Sequence, residues 1–302
     1  MIEVPPYRPP SEANSTLIRV TRGCPWNRCA FCGMYKTEKF QIRNTEDVKK
    51  DILAASKFMH SNTVFFGDSD NLVHPDIAEI SEFAVEKLNP ERITSYARLK
   101  TASSMSTKAL RGIRNSGLTR LHFGLESGDD KTLEMIKKGI TFREAVEGGK
   151  KAKRAGFEVS LYILSGITER WEEHALNSAM AVNAIEPDFV RLRTITVIPS
   201  TILWHRMKKG AYAPLDPVTR LKEVKLFVEN IECETTLHSD HVSNYLWNRR
   251  GIFYTGISGK LPKEKEKMVD ELDRAIRLAA DFERKGELID SNMLASSGRI
   301  LL

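Results

Sequence analysis

Three of the four cysteines in this chain lie within nine consecutive positions, at Cys24, Cys29 and Cys32. A disulfide would use two of these thiols and leave the third without a partner, whereas three thiolates on one short loop can ligate a single inorganic centre. A structural zinc site needs a fourth protein ligand, and no Cys or His follows this loop at zinc-finger spacing. An iron–sulfur cubane with three cysteine-bound irons and one open iron fits the donor set better, and zinc is kept as the alternative.

A regular alternation of strands and helices surrounds this loop. The segment 15–21 is predicted as a strand that leads the chain directly into the loop. Further strands are predicted at 63–66, 93–97, 119–125, 157–164 and 188–197, and helices at 44–60, 75–88, 106–115, 130–138, 142–155 and 169–184. Six strand–helix repeats with short turns indicate an α/β fold whose parallel sheet is rolled into a barrel or partial barrel.

Beyond Pro199 the alternation stops. Helical patterns continue at 201–209, 217–231 and 263–285, and the segment 233–260 between them is predicted to be irregular. We therefore predict three parts: a Pro-rich leader at 1–14, a core at 15–199, and a helical or irregular C-terminal cap at 200–302.

Charge and composition place few limits on function. The chain carries 46 basic and 40 acidic residues, a net charge of +6, and the two signs are mostly interspersed. Such a surface permits an anionic substrate or a nucleic acid without indicating either. The N-terminus lacks the basic start and apolar core of a signal peptide, and no apolar run approaches membrane-spanning length. We therefore expect a cytoplasmic protein with no membrane partner, in a compartment that keeps thiols reduced.

The loop sequence TRGCPWNRC, together with FCGMY, resembles the cluster loop of radical S-adenosylmethionine (SAM) enzymes, in particular that of small stand-alone members. Cys24, Cys29, Phe31 and Cys32 match the superfamily pattern, although four residues separate the first two cysteines where three are commonest. The resemblance implies a six-stranded parallel (β/α)6 partial barrel, a [4Fe–4S] cluster on the three cysteines, and SAM on the open iron. It also implies an electron donor such as flavodoxin or ferredoxin.

The predicted strands end at residues suited to holding this cofactor, because ligands of parallel α/β folds gather at the carboxyl ends of the strands. Gly67 and Asp68 follow the second predicted strand, and Glu126 and Ser127 follow the fourth. The resemblance implies that Gly67 holds the methionine ammonium group and that Glu126 accepts hydrogen bonds from the ribose. Asp68 and Ser127 are predicted to bind the cofactor as well, and helix capping is the alternative for both.

Two more cofactor contacts are predicted on either side of this set. The resemblance implies that Phe31 lies near the adenine. Arg191, with Arg193 on the same predicted strand, is predicted to pair with the SAM carboxylate, and surface ion pairing is the alternative.

The segment HSDHVSNY, residues 238–245, concentrates groups that transfer protons or hydrogen-bond. A similar His-x3-Tyr segment also belongs to the radical SAM group that the loop resembles. We predict that His241 or Tyr245 binds substrate or donates a hydrogen atom or proton. Metal binding by His238 and His241 and ordinary loop hydrogen bonding are the alternatives. Cys233, the fourth cysteine, is expected to lie in the core as a small apolar side chain.

The reaction implied by the resemblance is reductive cleavage of SAM to methionine and a 5′-deoxyadenosyl radical, which abstracts hydrogen from an unidentified substrate. A small molecule is favoured over RNA, because the chain shows no basic platform rich in aromatic residues. The competing hypothesis is a non-catalytic protein on an α/β scaffold that binds zinc or a partner. A zinc content without iron or sulfide would favour that hypothesis.

Overall fold

A sheet of eight strands organises this computed structural model, which describes residues 7–58 and 61–296. The strands are β1 (Thr16–Arg19), β2 (Thr21–Arg22), β3 (Gln41–Ile42), β4 (Thr63–Gly67), β5 (Arg92–Ala97), β6 (Leu118–Glu126), β7 (Glu158–Ser165), β8 (Phe189–Thr194), β9 (Thr235–His238), β10 (Leu246–Asn248), β11 (Gly251–Tyr254), β12 (Ser258–Leu261) and β13 (Ile289–Asp290). The helices are α1 (Thr45–Phe58), α2 (Ile77–Leu88), α3 (Leu99–Ser104), α4 (Thr107–Asn115), α5 (Asp130–Met135), α6 (Phe142–Arg154), α7 (Trp171–Ile185), α8 (Ile202–Lys208), α9 (Pro217–Glu229), α10 (Lys265–Arg284) and α11 (Ser291–Ser296).

The order of strands in the large sheet is β1-β4-β5-β6-β7-β8-β9-β12. Strand β4 pairs in parallel with β1 and β5, β5 with β6, and β8 with β9, whereas β12 runs antiparallel to β9. The predicted α/β class with a mainly parallel sheet is confirmed. The predicted count of six strands is wrong, because β9 and β12 extend the sheet to eight.

Both added strands come from the segment 233–260, which was predicted to be irregular. That segment holds β9, β10, β11 and β12, and β10 and β11 belong to a separate three-stranded sheet with β13. Their sequences are short and polar, such as TTLH in β9 and SGKL in β12. A four-residue strand of this composition has too little alternation to be recognised without its partner strand.

Residues 1–27, 34–124 and 143–160 form one compact unit, called the first unit below in its described part. Its central strand β4 has the sequence TVFFG, in which Val64, Phe65 and Phe66 are completely buried. A strand covered on both faces has this continuous apolar pattern. Helices α1 and α2 contribute apolar faces that include Ile52 and Ile80, as their helical periodicity predicts.

Residues 28–33, 125–142 and the described part of 161–302 form the second unit. Helix α9 packs against α7 and α10 in this unit. A smaller apolar cluster lies beside the second half of the cysteine loop, and it consists of Ile136, Leu164, Ile167, Ile195 and Leu203. The side chains of Asp129, Thr201 and Asp216 each accept a backbone N–H at the start of a helix, so α5, α8 and α9 begin at N-caps.

Several predicted boundaries differ from the structure. The helix predicted at 130–138 ends at Met135, because Lys137 has a left-handed φ of 53°. Helix α3 was missed, since only Leu99 and Ala102 of its six residues are buried. The last two residues of the helix predicted at 44–60, and the first six of the predicted leader, lie outside the described residues. The three-part division of the chain stays a prediction.

Within residues 7–58 and 61–296, no helix is both long enough and apolar enough to cross a membrane.

Candidate functional site

The first unit fixes the backbone where the cysteine loop begins. Gly23, the residue before Cys24, has a φ of 75°, a conformation that favours glycine. Its N–H donates to Asp68 Oδ1 at 2.9 Å, and its carbonyl accepts from Ser69 Oγ, also at 2.9 Å. Both polar groups of this peptide position are therefore tied to the residues that follow β4.

Asp68 is at the same time the anionic partner of Arg19 on β1. Nε of Arg19 donates to Oδ2 at 2.7 Å and Nη2 donates to Oδ1 at 2.9 Å, which is the bidentate arrangement. The hydrogen bond with Asp68 raises the pKa of Arg19. Because the Asp68 side chain is 0% exposed and already accepts three hydrogen bonds, its geometry is that of a positioning residue for the loop.

Asn71 organises the carboxyl end of β4, and sequence reasoning missed it. Its Nδ2 donates to the carbonyl of Phe66 at 3.0 Å and to that of Gly67 at 2.7 Å, while its Oδ1 accepts from Thr21 Oγ1 at 2.9 Å. A carbonyl oxygen has two lone pairs, and Asn71 uses one of those on Gly67. The predicted role of Gly67 as an acceptor for the methionine ammonium group is compatible with this contact.

A buried carboxyl and an aromatic residue of the loop lie at the end of β5. Burial raises the pKa of Asp70 to about 6, although Thr101 Oγ1 at 2.5 Å and the N–H of Arg98 at 3.2 Å both donate to it. The guanidinium of Arg98 lies over the Trp26 ring, 5.3 Å from its centroid. The loop thus carries an aromatic side chain held by a cation–π contact.

The second half of the loop belongs to the second unit, where its backbone is held from two sides. The N–H of Ala30 donates to the carbonyl of Ile136 at 2.7 Å, and the carbonyl of Ala30 accepts from the N–H of Leu203 at 2.8 Å. Cys29 and Cys32, which flank this anchored stretch, are both half-buried. The Phe31 side chain packs against the apolar cluster around Ile136.

Lys138 connects two residues that were predicted to bind SAM, and it was itself missed. Its Nζ donates to Glu126 Oε1 at 2.8 Å and lies 6.0 Å from the centroid of the Phe31 ring. The side chains of Glu126 and Lys138 are each 14% exposed. Glu126 has a φ of 67°, so the last residue of β6 turns sharply and its carboxylate is fixed by an ion pair.

Ser127 is completely buried in contacts within the protein. Its hydroxyl lies 2.8 Å from His174 Nδ1 and accepts the N–H of Asp129 at 3.0 Å. The Ser127 hydroxyl thus already has two partners within the protein, and the predicted contact with the cofactor would have to share it with them. At the next residue, Gly128, the backbone lies close to that of Asn177. A Cβ atom at this position would lie 2.2 Å from the carbonyl oxygen of Asn177.

The residue that follows β7 contacts a buried acid, Glu223, which sequence reasoning also missed. The N–H of Gly166, whose φ is 79°, donates to Glu223 Oε1 at 3.0 Å. Burial raises the pKa of Glu223 to about 7 and lowers that of the neighbouring His174 to about 4. His174 Nε2 and Glu223 Oε1 lie 3.8 Å apart. Because burial favours the uncharged form of each side chain, this contact is not an ion pair near neutral pH.

The predicted catalytic segment is folded into the second unit. The His241 side chain accepts the Ser243 N–H at the start of a short 3-10 helix, Val242–Asn244, and Tyr245 donates to the carbonyl of Asp240 at 3.3 Å. Cys233 is half-buried, with its thiol 3.6 Å from the carbonyl of Val182.

The chemistry of the donors fits an iron–sulfur cluster. Three thiols that form no disulfide lie on one loop, and Cys24 Sγ accepts the N–H of Asn27 at 3.3 Å, a contact of the kind that tunes ligating sulfurs. In the described ranges, no group of three or more His, Cys, Asp or Glu side chains converges enough to hold a metal ion. The case for the cluster therefore rests on the donors and on the family.

Comparison with known proteins decides the family. The model of the radical SAM superfamily matches residues 18–178, just over half of the chain and a stretch that contains all three clustered cysteines. The chain belongs to the radical SAM superfamily. Members of this superfamily use a [4Fe–4S] cluster and SAM and require an external electron donor. Membership favours the radical SAM interpretation over the zinc or scaffold hypothesis.

The curated relatives are distant and longer. An uncharacterized methyltransferase of Pyrococcus horikoshii is 23% identical over 68% of this chain and 47% of its own length. The heme chaperone HemW of Bacillus subtilis is 26% identical over 59% of this chain and 44% of its own. The chain thus spans about half the length of the curated relatives it matches.

Solved structures share the fold. Coproporphyrinogen III oxidase (HemN) from Escherichia coli, a radical SAM enzyme, aligns with a TM-score of 0.54 and 15% identity over 71% of this chain and 51% of its own. The radical SAM methyltransferase TsrM from Kitasatospora setae aligns with a TM-score of 0.54 and 16% identity over 67% of this chain and 41% of its own. At these identities the likeness shows the α/β fold alone.

Proposed function

We propose that this protein is an enzyme that reductively cleaves SAM at a [4Fe–4S] cluster held by Cys24, Cys29 and Cys32, and that it abstracts hydrogen from a small-molecule substrate. The observation that carries the proposal is the placement of these three thiols inside the stretch that matches the superfamily model. The two anchored ends of the loop, at Gly23 and Ala30, support it, because ligating thiols need a backbone of fixed path.

The chemistry that a bound cluster would supply is one electron for the reductive cleavage of SAM. Cys24, Cys29 and Cys32 would hold three irons of the cluster. Asp68 holds Gly23 and Arg19, and thereby orients the start of the loop.

The residues proposed to hold SAM are Gly67, Glu126 and Phe31. Gly67 would accept the ammonium group through its carbonyl, of which Asn71 uses one lone pair. Glu126 would accept the ribose hydroxyls while the hydrogen bond from Lys138 orients its carboxylate. Phe31 would lie against the adenine. Asp68 and Ser127 act in this proposal as positioning residues, since their side chains are fully buried.

The remaining assignments follow the same proposal. His241 and Tyr245 are candidates for substrate contact or for hydrogen or proton donation. The electron donor would be a flavodoxin or a ferredoxin, and the enzyme would act in the cytoplasm, where such donors and reduced thiols coexist. A small molecule is proposed in preference to RNA because charge is mixed along the chain.

The test is anaerobic reconstitution with iron and sulfide, followed by dithionite and SAM, with 5′-deoxyadenosine measured by chromatography. We expect the product to form and to disappear in Cys24→Ala, Cys29→Ala and Cys32→Ala, together with bound iron, because three ligands are the minimum for this cluster. Cys233→Ala is the matched control and should keep both, since Cys233 lies some two hundred residues beyond the cysteine loop.

Loss of iron from Cys233→Ala would contradict the assignment of three ligands. Purified protein that contains stoichiometric zinc and takes up neither iron nor sulfide would contradict the proposal as a whole.

A further inference from the structure

The segment 194–215, which contains α8, is basic and has no Asp or Glu. Its cationic side chains are Arg206, Lys208 and Lys209. Lys208 and Lys209 are exposed, and neither has a carboxylate partner among the residues that the structure describes. Arg191 on the preceding strand is only 8% exposed and lies over the Phe189 ring, so it adds little to the surface charge. A surface with charge of one sign attracts partners of the opposite sign.

Two exposed isoleucines accompany these cations at the start of α8. Ile198 is 39% exposed and Ile202 is 37% exposed. Residues three and four positions apart lie on the same face of a helix, so Ile202 shares a face with His205 and continues towards Lys209 at its end. Apolar side chains with a cationic border are typical of a surface that binds another protein, in which an apolar centre is surrounded by a polar rim.

The same segment contacts the part of the cysteine loop that carries Cys29 and Cys32. The N–H of Leu203, a completely buried residue of α8, donates to the carbonyl of Ala30 at 2.8 Å. A Cβ atom at Gly33 would lie 3.1 Å from Cγ2 of Ile198, so the turn before α8 packs closely against the residue that follows Cys32. The exposed side of α8 therefore lies one residue away from a direct hydrogen bond to the loop.

A pocket of about 180 Å³ extends this positive surface beyond Arg206. Arg206 lines it together with Lys131 and Arg170. Arg170 is paired with Asp129 at 3.3 Å, whereas Lys131 has no charged partner in the part of the chain that the structure describes. The exposed Glu169 adds one negative charge to the lining. Because the cations outnumber this carboxylate, the pocket suits an acidic side chain of a partner.

Members of the superfamily need an electron from outside the chain. Electron transfer between proteins slows steeply as the distance between the two redox centres grows, so an electron donor has to dock close to the cysteine loop. Complexes that transfer electrons are short-lived and bury less than about 1,200 Å² in total, and complementary charges speed their formation. A small basic surface with exposed isoleucines, next to the loop, has these properties.

We propose that the α8 surface, formed by Ile198, Ile202, His205, Lys208 and Lys209, is the docking site of a small acidic protein that carries one electron. This inference rests on the proposed function. The carrier loses one electron and the cluster gains it, while no bond forms or breaks and no proton moves in this step. The carrier has to be acidic because its carboxylates pair with lysines that have no carboxylate partner among the described residues.

The test measures the binding of purified flavodoxin and of purified ferredoxin, two acidic carriers, to the reconstituted full-length chain by surface plasmon resonance. We expect at least one carrier to bind, and to bind about tenfold less tightly at about 0.15 M salt than at low salt, because salt screens exposed charges. The double variant with Lys208→Glu and Lys209→Glu should bind that carrier about tenfold less tightly at low salt. Ile202→Ser should weaken binding about threefold at both salt concentrations, because it removes apolar contact area and no charge.

Deoxyadenosine formation is then driven either by the reduced carrier or by dithionite, a small reductant that needs no docking site. The rate with the carrier, divided by the rate with dithionite, should fall about tenfold in the double variant, in proportion to the lost affinity. The matched control combines Arg284→Glu with Lys285→Glu, which reverses two consecutive exposed cations at the end of α10. The control should keep the wild-type affinity for the carrier and the wild-type ratio of rates.

An equal loss in the α10 control, or affinities that do not depend on salt, would overturn the inference. It would also be overturned if neither carrier binds and the double variant instead abolishes binding of an RNA oligonucleotide or self-association of the chain. Absence of deoxyadenosine with dithionite, while a carrier still binds through α8, would refute the proposed function. Formation of deoxyadenosine with dithionite, without binding of either carrier, would refute only this docking site.

Discussion

The ion pair that orders the start of the cysteine loop gives the sharpest prediction. Asp68→Ala removes the acceptor of two hydrogen bonds from Arg19 and one from Gly23. The Arg19 side chain, which is 10% exposed, keeps its ion pair with Glu38 at 3.0 Å. Breaking a buried pair from one side costs about 3 to 5 kcal/mol, and the surviving contact with Glu38 places the expected loss near the lower value.

Asp68→Asn should cost less, about 1.5 to 3 kcal/mol, because the amide oxygen can still accept the Gly23 N–H. The assay is urea unfolding of the cluster-free protein followed by circular dichroism, with iron uptake measured on the same variants. Asp51→Asn is the matched control: it disrupts the pair between Asp51 and Arg43 at 2.6 Å, but the Asp51 side chain is 52% exposed. It should cost less than about 1 kcal/mol.

The reasoning fails if Asp68→Ala is no more destabilising than Asp51→Asn. It also fails if the Asp68 variant is as stable as the wild type and takes up iron normally but loses affinity for SAM. In that case Asp68 would be a cofactor ligand, as the sequence predicted, and not a positioning residue.

Two further substitutions probe the strand ends. Burial raises the Glu223 pKa from 4.5 to about 7, so its contribution to stability is complete below pH 4.5 and is lost as the pH rises to about 7. Because Glu223→Gln cannot ionise at this position, its free energy of unfolding should rise by about 3 kcal/mol relative to that of the wild type between pH 4.5 and 7. If the stabilities of the two proteins in urea change in parallel over this range, the prediction is wrong. Glu126→Ala should weaken SAM binding about tenfold in equilibrium measurements while Glu126→Gln keeps it, because an acceptor remains for the ribose hydroxyls. Equal affinities of the two variants would remove Glu126 from the site.

The fold was predictable where segments are buried on both faces. Local sequence patterns predict strand β4, through its run of Val64, Phe65 and Phe66, and the amphipathic helices α1 and α2. Strands β9 and β12 show no such pattern, because their pairing depends on β8 and on each other across twenty or more residues. Non-local pairing of this kind leaves no signal in a short polar segment.

The candidate site divides in the same way. Ligand spacing within nine residues is a local property, so the three cysteines could be recognised from sequence. The partners that fix them are distant in sequence: Asn71 lies fifty residues from Thr21, and Lys138 lies far from Phe31. The predicted cofactor roles of Asp68, Ser127 and Arg191 stay predictions, and each of these residues has contacts in the structure that no periodicity indicates.

Strand β12, which ends the strand order of the large sheet next to β9, bears on solubility. An open sheet edge exposes backbone groups that can recruit another chain and seed aggregation. Here the N–H of Lys260 donates to Glu264 Oε2 at 2.7 Å, and the carbonyl of Lys260 accepts the Glu264 N–H at 2.8 Å. Pro262, which has no N–H, follows the strand directly. A further strand could therefore pair at Lys260 only after both of these hydrogen bonds had broken, which disfavours intermolecular β-pairing at this position.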